Sequence, residues 1–197
     1  PLPNTEGSFY MAIAALPTIT TATEQFISEL FHGVTDFVEI REIQGKQVRR
    51  DFFQLDELTT YSPPSDQNVY FGVYTRARRS GRAQDCLTTG AVWADYDKGV
   101  EGLSVMERAA KVLDTLGAVG LPEPSIMISS GNGIHAYWLL DQRAGDEALA
   151  IVKALAVATG SDQKVTDKAR VMRLPGTWNV KEPASPLQCE LLHADYS

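Results

Sequence analysis

The spacing of apolar residues predicts the first elements of the chain. Residues 21–32 carry apolar side chains at helical intervals, and Thr21 and Glu24 have the spacing of an N-terminal capping box. A strand follows at 37–43, where branched and aromatic residues are frequent. The next stretch, around 49–50, is polar and basic and is interpreted as a connection. The first part of the chain is therefore predicted to be a small α/β unit.

The proline-containing turn at 61–67 is the predicted boundary between this N-terminal lobe and a second lobe, residues 68–197. Seven elements are predicted in the second lobe: strands at 68–75, 90–97, 125–129, 134–140 and 188–193, and helices at 104–116 and 146–159. Gly117 is expected to end the first of these helices in a left-handed cap, and Asn132-Gly133 predicts a hairpin. The fold class is α/β (α+β), with helices packed on a sheet like that of an RNA-recognition motif.

Composition narrows the classes of protein. The 197 residues are 44% hydrophobic and 22% charged, which is sufficient for a single domain with a proper core, here interpreted as excised from a longer protein. No apolar run approaches the ~20 residues that span a bilayer, and the N-terminus lacks the features of a signal peptide, so a cytoplasmic location is expected. Cys86 and Cys189 are too distant in sequence for a zinc or disulfide motif.

Charge distribution is more informative than the total. A net charge of −7 argues against a protein that coats nucleic acid by bulk electrostatics. Two basic clusters nevertheless occur: Arg76, Arg78, Arg79 and Arg82 in the first, and Lys164, Lys168, Arg170, Arg173 and Lys181 in the second. The first cluster is assigned to a nucleic-acid backbone, with a solvated loop as the alternative. Tyr74 or Trp93 could stack on bases, although a core position is favoured for Trp93.

Asp95 and Asp97 are the first candidate catalytic residues. They are separated by one residue on a predicted strand, so both carboxylates face the same side of the sheet. Two adjacent carboxylates are costly to ionise unless a hard divalent cation takes up the charge. The pair therefore indicates a Mg²⁺ or Mn²⁺ site, although such pairs also occur at exposed strand ends.

The segment SSGNGIHAYW, residues 129–138, is a candidate phosphate-binding hairpin. Its glycines, Gly131 and Gly133, allow close backbone approach, so that N–H groups from Ser130 to Gly133 could converge on an anion, with Asn132 in the same loop. His135 begins the return strand, within reach of the same anion. The alternative is an ordinary hairpin with a core histidine.

The third candidate segment is SDQKVTDKARVMRLPGTWNVK, residues 161–181. Arg170 and Arg173 can point into one site if the apolar residues around them are buried, and guanidinium groups suit bidentate phosphate binding. Pro175-Gly176 turns the chain so that Asn179 and Lys181 return to the same region. Either Asp162 or Asp167 could supply a third metal ligand. A mixed-charge surface loop is the alternative.

Taken in order, ADYD, SSGNGIHAYW and SDQKVTDKARVMRLPGTWN resemble the three motifs of the archaeo-eukaryotic primase superfamily, and most closely its primase-polymerase branch from plasmids, phages and CRISPR-linked loci. The resemblance covers roughly residues 68–181. It implies a template-directed nucleotidyltransferase with a primase-polymerase fold. Its substrates would be nucleoside triphosphates with a single-stranded DNA template and primer, and a helicase or other replication domain could accompany it.

The resemblance also implies roles for individual residues. Asp95, Asp97 and Asp162 match the carboxylates that bind two Mg²⁺ or Mn²⁺ ions, and Asp167 is the reserve candidate for the third. Ser130 and His135 match the motif that holds the triphosphate, and Arg173 and Lys181 match further phosphate contacts. The absence of a zinc-binding cysteine cluster departs from cellular archaeal primases and puts primer-independent initiation in doubt.

Two other classes of function remain open at this stage. One is a replication-initiator or RNA-recognition-like module that binds nucleic acid without polymerising it. The other is a metal-dependent nuclease, for which Asp95, Asp97 and His135 are also suitable residue types. A nuclease, however, leaves the cationic cluster around Pro175 without a task.

Overall fold

The computed structural model describes residues 21–58 and 60–196, apart from the side chains of residues 21 and 22. The helices are α1 (Thr21–Leu30), α2 (Leu55–Leu58), α3 (Val105–Ala118) and α4 (Asp146–Thr159). The strands are β1 (Val38–Gln44), β2 (Gln47–Phe53), β3 (Asn68–Gly72), β4 (Thr89–Tyr96), β5 (Ile126–Ser129), β6 (Ile134–Ala144), β7 (Val171–Arg173), β8 (Trp178–Asn179), β9 (Leu187–Gln188) and β10 (Glu190–Ala194).

Two four-stranded antiparallel sheets form the framework. The first has the strand order β2-β1-β3-β7, and the second has the order β10-β5-β6-β4. β3 and β7 come from the predicted second lobe but pair within the first sheet, so the two predicted lobes interleave. The division at residue 67 stays a prediction.

One large core connects the two sheets through α1. Phe26 of α1 makes edge-to-face contacts with Phe71 of β3 and with Tyr137 of β6, at ring-centroid distances of 5.3 and 5.8 Å. All three rings are fully buried, and such ring pairs add to the free energy gained from burying their apolar area. The two sheets are thereby fixed relative to each other along one line of contact.

A second core lies on the other face of the second sheet. Ala94 and Ala136 on this face pack against Val112 and Leu116 of α3 and against Leu155 of α4. The small side chains on the strands allow the helices to approach the sheet closely. This face is therefore filled, and polar groups on the sheet lie on the opposite side.

The termini of α3 follow from local chemistry, with one correction at the C-terminal end. Ser104 and Glu107 form the predicted capping box, in which the Ser104 hydroxyl accepts from the Glu107 N–H. Gly117 is not the left-handed cap that was expected. It lies inside the helix, and Gly120 adopts the positive φ of 72° instead. The helix ends at Ala118, two residues beyond the predicted end at 116.

Three further sequence predictions have different outcomes. The interpretation of the stretch around 49–50 as a connection is wrong, because this stretch belongs to β2, which pairs with β1 along seven residues. The proposed capping box at Thr21 lies outside the described residues, because the Thr21 side chain is not among them. The hairpin at Asn132-Gly133 is present as β5–β6, with the positive φ of 93° at Gly131.

Candidate active site

The acidic pair lies at the end of β4, where the two sheets meet. Asp95 is 8% exposed and Asp97 is exposed just beyond the strand. The Asp95 Oδ1 atom has no hydrogen-bond partner. Burial, together with the charge of Asp97 and a hydrogen bond to it, raises the pKa of Asp95 to about 8. The charge of Asp162 acts in the same direction, and Lys181 opposes it.

His135 is the cross-strand neighbour of Asp95. The two residues are paired in the β4–β6 ladder, and His135 Nε2 lies 3.7 Å from Asp95 Oδ1. Burial and the positive charge of Arg173 lower the pKa of His135 to about 3. The imidazole is therefore neutral at physiological pH and does not form an ion pair with Asp95. Its Nδ1 atom has no partner.

The hairpin loop from Ser130 to Gly133 is held together by its own hydrogen bonds, which corrects one expectation. The Ser130 N–H donates to Gly133 O (2.9 Å), the Gly133 N–H donates to the Ser130 hydroxyl (3.1 Å), and the Gly131 N–H donates to the Ser129 hydroxyl (3.3 Å). These three N–H groups are consequently not free to converge on an anion, as the sequence had suggested. The loop presents the Ser130 and Asn132 side chains to the cleft instead.

Gly133 allows this loop to pack directly on the acidic pair. A Cβ atom at Gly133 would lie 2.1 Å from Asp97 Oδ1 and 2.8 Å from Tyr96 O. No side chain fits in that space. The position of Asp97 therefore depends on a glycine in the facing loop.

Arg173 provides a buried cation opposite the acidic pair. It is 4% exposed, its Nη1 donates to Asn68 Oδ1 (2.9 Å), and its guanidinium lies 4.8 Å from the ring centroid of Tyr70. Its Nη2 has no hydrogen-bond partner. A buried N–H group without a partner is costly, and this one is available to an anionic ligand.

The chain turns at Pro175-Gly176 and returns along the same cleft, as the sequence predicted. Gly176 has a φ of 80°. The Asn179 side chain donates to Ser130 O (2.9 Å), which ties this segment to the hairpin loop. Lys181 is exposed and lines the cleft.

The two candidates for the third carboxylate have different surroundings. Asp162 lines the cleft, and its main-chain N–H donates to Asp95 O (2.8 Å). Asp167 instead forms an ion pair with Arg170 (2.7 Å). Arg170 lines the cleft, but this pairing and a bond to Lys164 O hold its guanidinium. Of the two aspartates, Asp162 is better placed to join the pair.

Together these residues line a cleft of about 210 Å³. Among residues 21–58 and 60–196, no group of three His, Cys, Asp or Glu side chains is close enough to form a complete metal site. Asp95 and Asp97 nevertheless fit a divalent cation, because a buried carboxylate oxygen without a partner and a second carboxylate beside it are the donors that Mg²⁺ prefers. The third ligand is not yet in contact in this geometry.

The four arginines between positions 76 and 82 differ in burial and in their partners. Arg76 is fully buried and forms an ion pair with Glu39 (2.8 Å), so its assignment to nucleic acid is wrong. Arg78 is paired with Asp85. Arg79 lies over the Phe37 ring at 5.3 Å and, like Arg82, is exposed.

Neither aromatic side chain suggested for base stacking is accessible. Tyr74 and Trp93 are both buried, the Tyr74 hydroxyl donates to Gly145 O, and Trp93 Nε1 donates to Val165 O. The core position favoured for Trp93 is observed, and the suggestion for Tyr74 is wrong. Tyr70, which lines the cleft, is the aromatic residue in the right place.

Sequence reasoning missed Tyr70 and Asn68 because the strand at 68–75 was predicted without assigning residues to its two faces. The alternation within NVYFG was the available signal. Val69 and Phe71 are fully buried in the core, whereas Asn68 and Tyr70 lie on the opposite face. Asn68 supports Arg173 and also accepts from the Val180 N–H (3.1 Å).

Comparisons with known proteins agree with this architecture. A family model described as the RepB DNA-primase N-terminal domain matches residues 105–197. The archaeo-eukaryotic primase domain of the cyanophage S-2L primase-polymerase is similar with a TM-score of 0.68 and 18% identity, over 89% of this chain and 91% of that chain. The chain has the archaeo-eukaryotic primase fold. The fold that the resemblance implied is thereby confirmed.

Other relatives extend the comparison. The structure of primase RepB′ has a TM-score of 0.61 and 20% identity, over 89% of this chain and 57% of that chain. Its catalytic domain in complex with initiator DNA has a TM-score of 0.60 and 21% identity, over 89% and 86%. A replication protein from Clostridium perfringens is 23% identical over 124 residues, which is 59% of this chain but 30% of that protein. The two RepB′ structures thus share the fold of this chain.

No helix in the described part of the chain is long and apolar enough to cross a membrane.

Proposed function

We propose that this primase-fold chain catalyses template-directed nucleotidyl transfer, as a primase and DNA polymerase. A 3′-hydroxyl attacks the α-phosphorus of a nucleoside triphosphate, a new phosphodiester bond forms, and pyrophosphate leaves. One observation carries the proposal: a single cleft combines an acidic pair with cationic and hydroxyl groups, and these residues come from three distant segments, 95–97, 130–135 and 162–181.

The cationic side of the cleft suits the triphosphate. The free Nη2 of Arg173 is fixed in direction by the bond from Nη1 to Asn68 and by the Tyr70 ring, so the group is oriented before the ligand arrives. Lys181 adds an exposed ammonium group on the same wall. The Ser130 hydroxyl accepts from Gly133 and keeps its own proton for a phosphate oxygen.

The acidic side of the cleft suits divalent cations. Asp95, Asp97 and Asp162 would hold two Mg²⁺ or Mn²⁺ ions. When bound, these ions would activate the attacking oxygen and neutralise the negative charge on the leaving pyrophosphate. The neutral His135 would donate one hydrogen bond to a phosphate oxygen without adding charge. Its low pKa keeps this state constant across physiological pH.

Single-stranded DNA template and primer are the proposed partners. The catalytic domain of primase RepB′ has been solved in complex with initiator DNA, and this chain exposes Arg79 and Arg82 outside the cleft. The replication protein from Clostridium perfringens is much longer than its matched region, and a helicase or another replication domain is a further proposed partner of this chain.

Primer extension tests the proposal. The chain would be incubated with a primed single-stranded template, Mn²⁺ or Mg²⁺, and labelled deoxynucleotides or ribonucleotides, with and without primer. We expect Asp97→Asn to lower incorporation by roughly a hundredfold or more, because several kcal/mol of charge stabilisation are lost. Asp114→Asn, an exposed carboxylate on α3, is the matched control.

The same assay distinguishes the alternatives. Comparing Asp162→Asn with Asp167→Asn identifies the third carboxylate, since only the former should abolish incorporation. Binding of DNA without incorporation would indicate an initiator module, and cleavage of the template would indicate a nuclease. Undiminished extension by Asp97→Asn would refute the proposal.

A further inference from the structure

Four side chains form a transverse row across the first sheet. Arg50 of β2 is paired with Arg41 of β1, Arg41 with Tyr70 of β3, and Tyr70 with Arg173 of β7. Residues paired directly across neighbouring strands point to the same face of a sheet. This row therefore starts at the outer edge of the sheet and ends inside the candidate active site.

The outer half of this face carries excess positive charge. Glu39 is fully buried, and three arginines surround it: Arg76 at 2.8 Å, Arg41 at 2.6 Å and Arg50 at 3.8 Å. One carboxylate cannot neutralise three guanidinium groups. The Arg50 side chain is 54% exposed, so part of the uncompensated charge faces solvent.

The loop that carries Arg79 and Arg82 lies beside Glu39 and Arg50. A Cβ atom at Gly81 would lie 3.2 Å from Glu39 Oε1 and 3.4 Å from Arg50 Cδ, so the loop packs directly beside the row. Arg79 and Arg82 on either side of Gly81 are exposed. The loop and the row thus form one continuous basic surface.

The opposite face of the same sheet is different in both charge and accessibility. Arg49, next to Arg50 in sequence, points to that side and is balanced by Asp51 at 2.8 Å and by Glu42 at 3.6 Å. Further along the sheet, that face is closed by the core residues Phe71 and Met172. Only the face with the row is both basic and connected to the cleft.

We propose that the face bearing Arg50, Arg41 and Tyr70, extended by Arg79 and Arg82, binds the single-stranded DNA template and leads it to the cleft. The row spans three strand spacings of ~4.8 Å, roughly 14 Å in all, which matches about four stacked nucleotides at 3.4 Å each. Phosphates lie along the exposed arginines, and a base at the cleft contacts Tyr70. This inference rests on the proposed function for its template, but binding can be measured without synthesis.

Adjacent residues of β2 provide a matched test. The complete chain, without nucleotide, would be titrated into fluorescein-labelled dT20 and followed by fluorescence anisotropy between 50 and 200 mM salt. Arg50→Gln with Arg82→Gln removes two charges from the proposed face. Arg49→Gln with Lys46→Gln removes two charges from elsewhere on the β1–β2 hairpin and is the control. Thermal unfolding of each variant verifies the fold.

The expected effect follows from counterion release. Each lost phosphate contact lowers the slope of log affinity against log salt by about 0.7 on a single strand, so the double variant should lose about 1.4. This corresponds to about 25-fold weaker binding near 0.1 M salt, if each arginine makes one contact. The control should bind like wild type, and Arg50→Lys with Arg82→Lys should recover most of the affinity, because it keeps both charges.

Two results would overturn the inference: equal weakening by both double variants, which would indicate bulk electrostatics, or no binding of dT20 by the wild-type chain. Failure of the proposed catalytic function is a separate result. It would appear as absent incorporation while the difference between the two double variants in DNA binding persists.

Discussion

Replacing Arg76 with methionine should destabilise the fold and leave DNA contacts intact. The Arg76 guanidinium is fully buried and donates to Glu39 from Nε and Nη2, and to Tyr74 O and Cys86 Sγ from Nη1. Arg41 still compensates the Glu39 charge, but the substitution removes the donors to Glu39 Oε2 and to Tyr74 O. Each buried acceptor left without a partner costs about 1–3 kcal/mol. For a chain of this size, two such acceptors correspond to a decrease in Tm of roughly 10 °C.

Thermal and urea unfolding measure this effect, with Arg82→Met as the control from the same sequence cluster. The Arg82 side chain is exposed, so the Tm of this variant should remain near that of wild type. Arg41 and Arg50 stay close to Glu39 in both variants. If Arg76→Met kept its Tm and instead lost affinity for single-stranded DNA, the buried ion pair would be the wrong description of this residue.

Two further predictions concern the acidic pair. Without metal, Asp95 keeps its proton to about pH 8 in the folded state but loses it near pH 4 when unfolded. Unfolding therefore releases a proton in this window, and stability falls as pH rises, by up to ~1.4 kcal/mol per pH unit. Asp95→Asn should remove this slope in urea titrations with EDTA at pH 5 to 7.5; an unchanged slope would contradict the assigned pKa. Gly133→Ala should displace Asp97 and reduce primer extension at least tenfold, since its Cβ would overlap the carboxylate. Gly117→Ala, in open space within α3, should retain activity and gain up to ~1 kcal/mol of stability; equal loss in both would indicate a nonspecific effect.

Local signals account for the elements that the sequence predicted well. α3 has a capping box and α4 ends at Gly160 with a φ of 71°, and both were predicted at nearly their observed positions. β2 was missed because QVRRDFF has charged residues on both faces and lacks the apolar alternation of a half-buried strand. Its extended conformation is stabilised instead by pairing with β1.

The site was predictable in its residues but not in its contacts. Ser130, His135, Arg173 and Lys181 were expected together, and the cleft contains all of them. The burial of Arg76 depends on Glu39, 37 residues earlier, a partner that no local pattern identifies. The assigned roles of these residues stay predictions until they are tested by substitution.

The main-chain bond from the Asp162 N–H to Asp95 O has a consequence for aggregation. β4 is an outer strand of its sheet, and outer strands with free main-chain groups can recruit strands from other molecules. The segment after α4 covers the free edge of β4 beside the acidic pair through this hydrogen bond. A larger covering element at this position would block the cleft. An insertion between Gly160 and Asp162 would expose the edge of β4 and favour self-association of the chain.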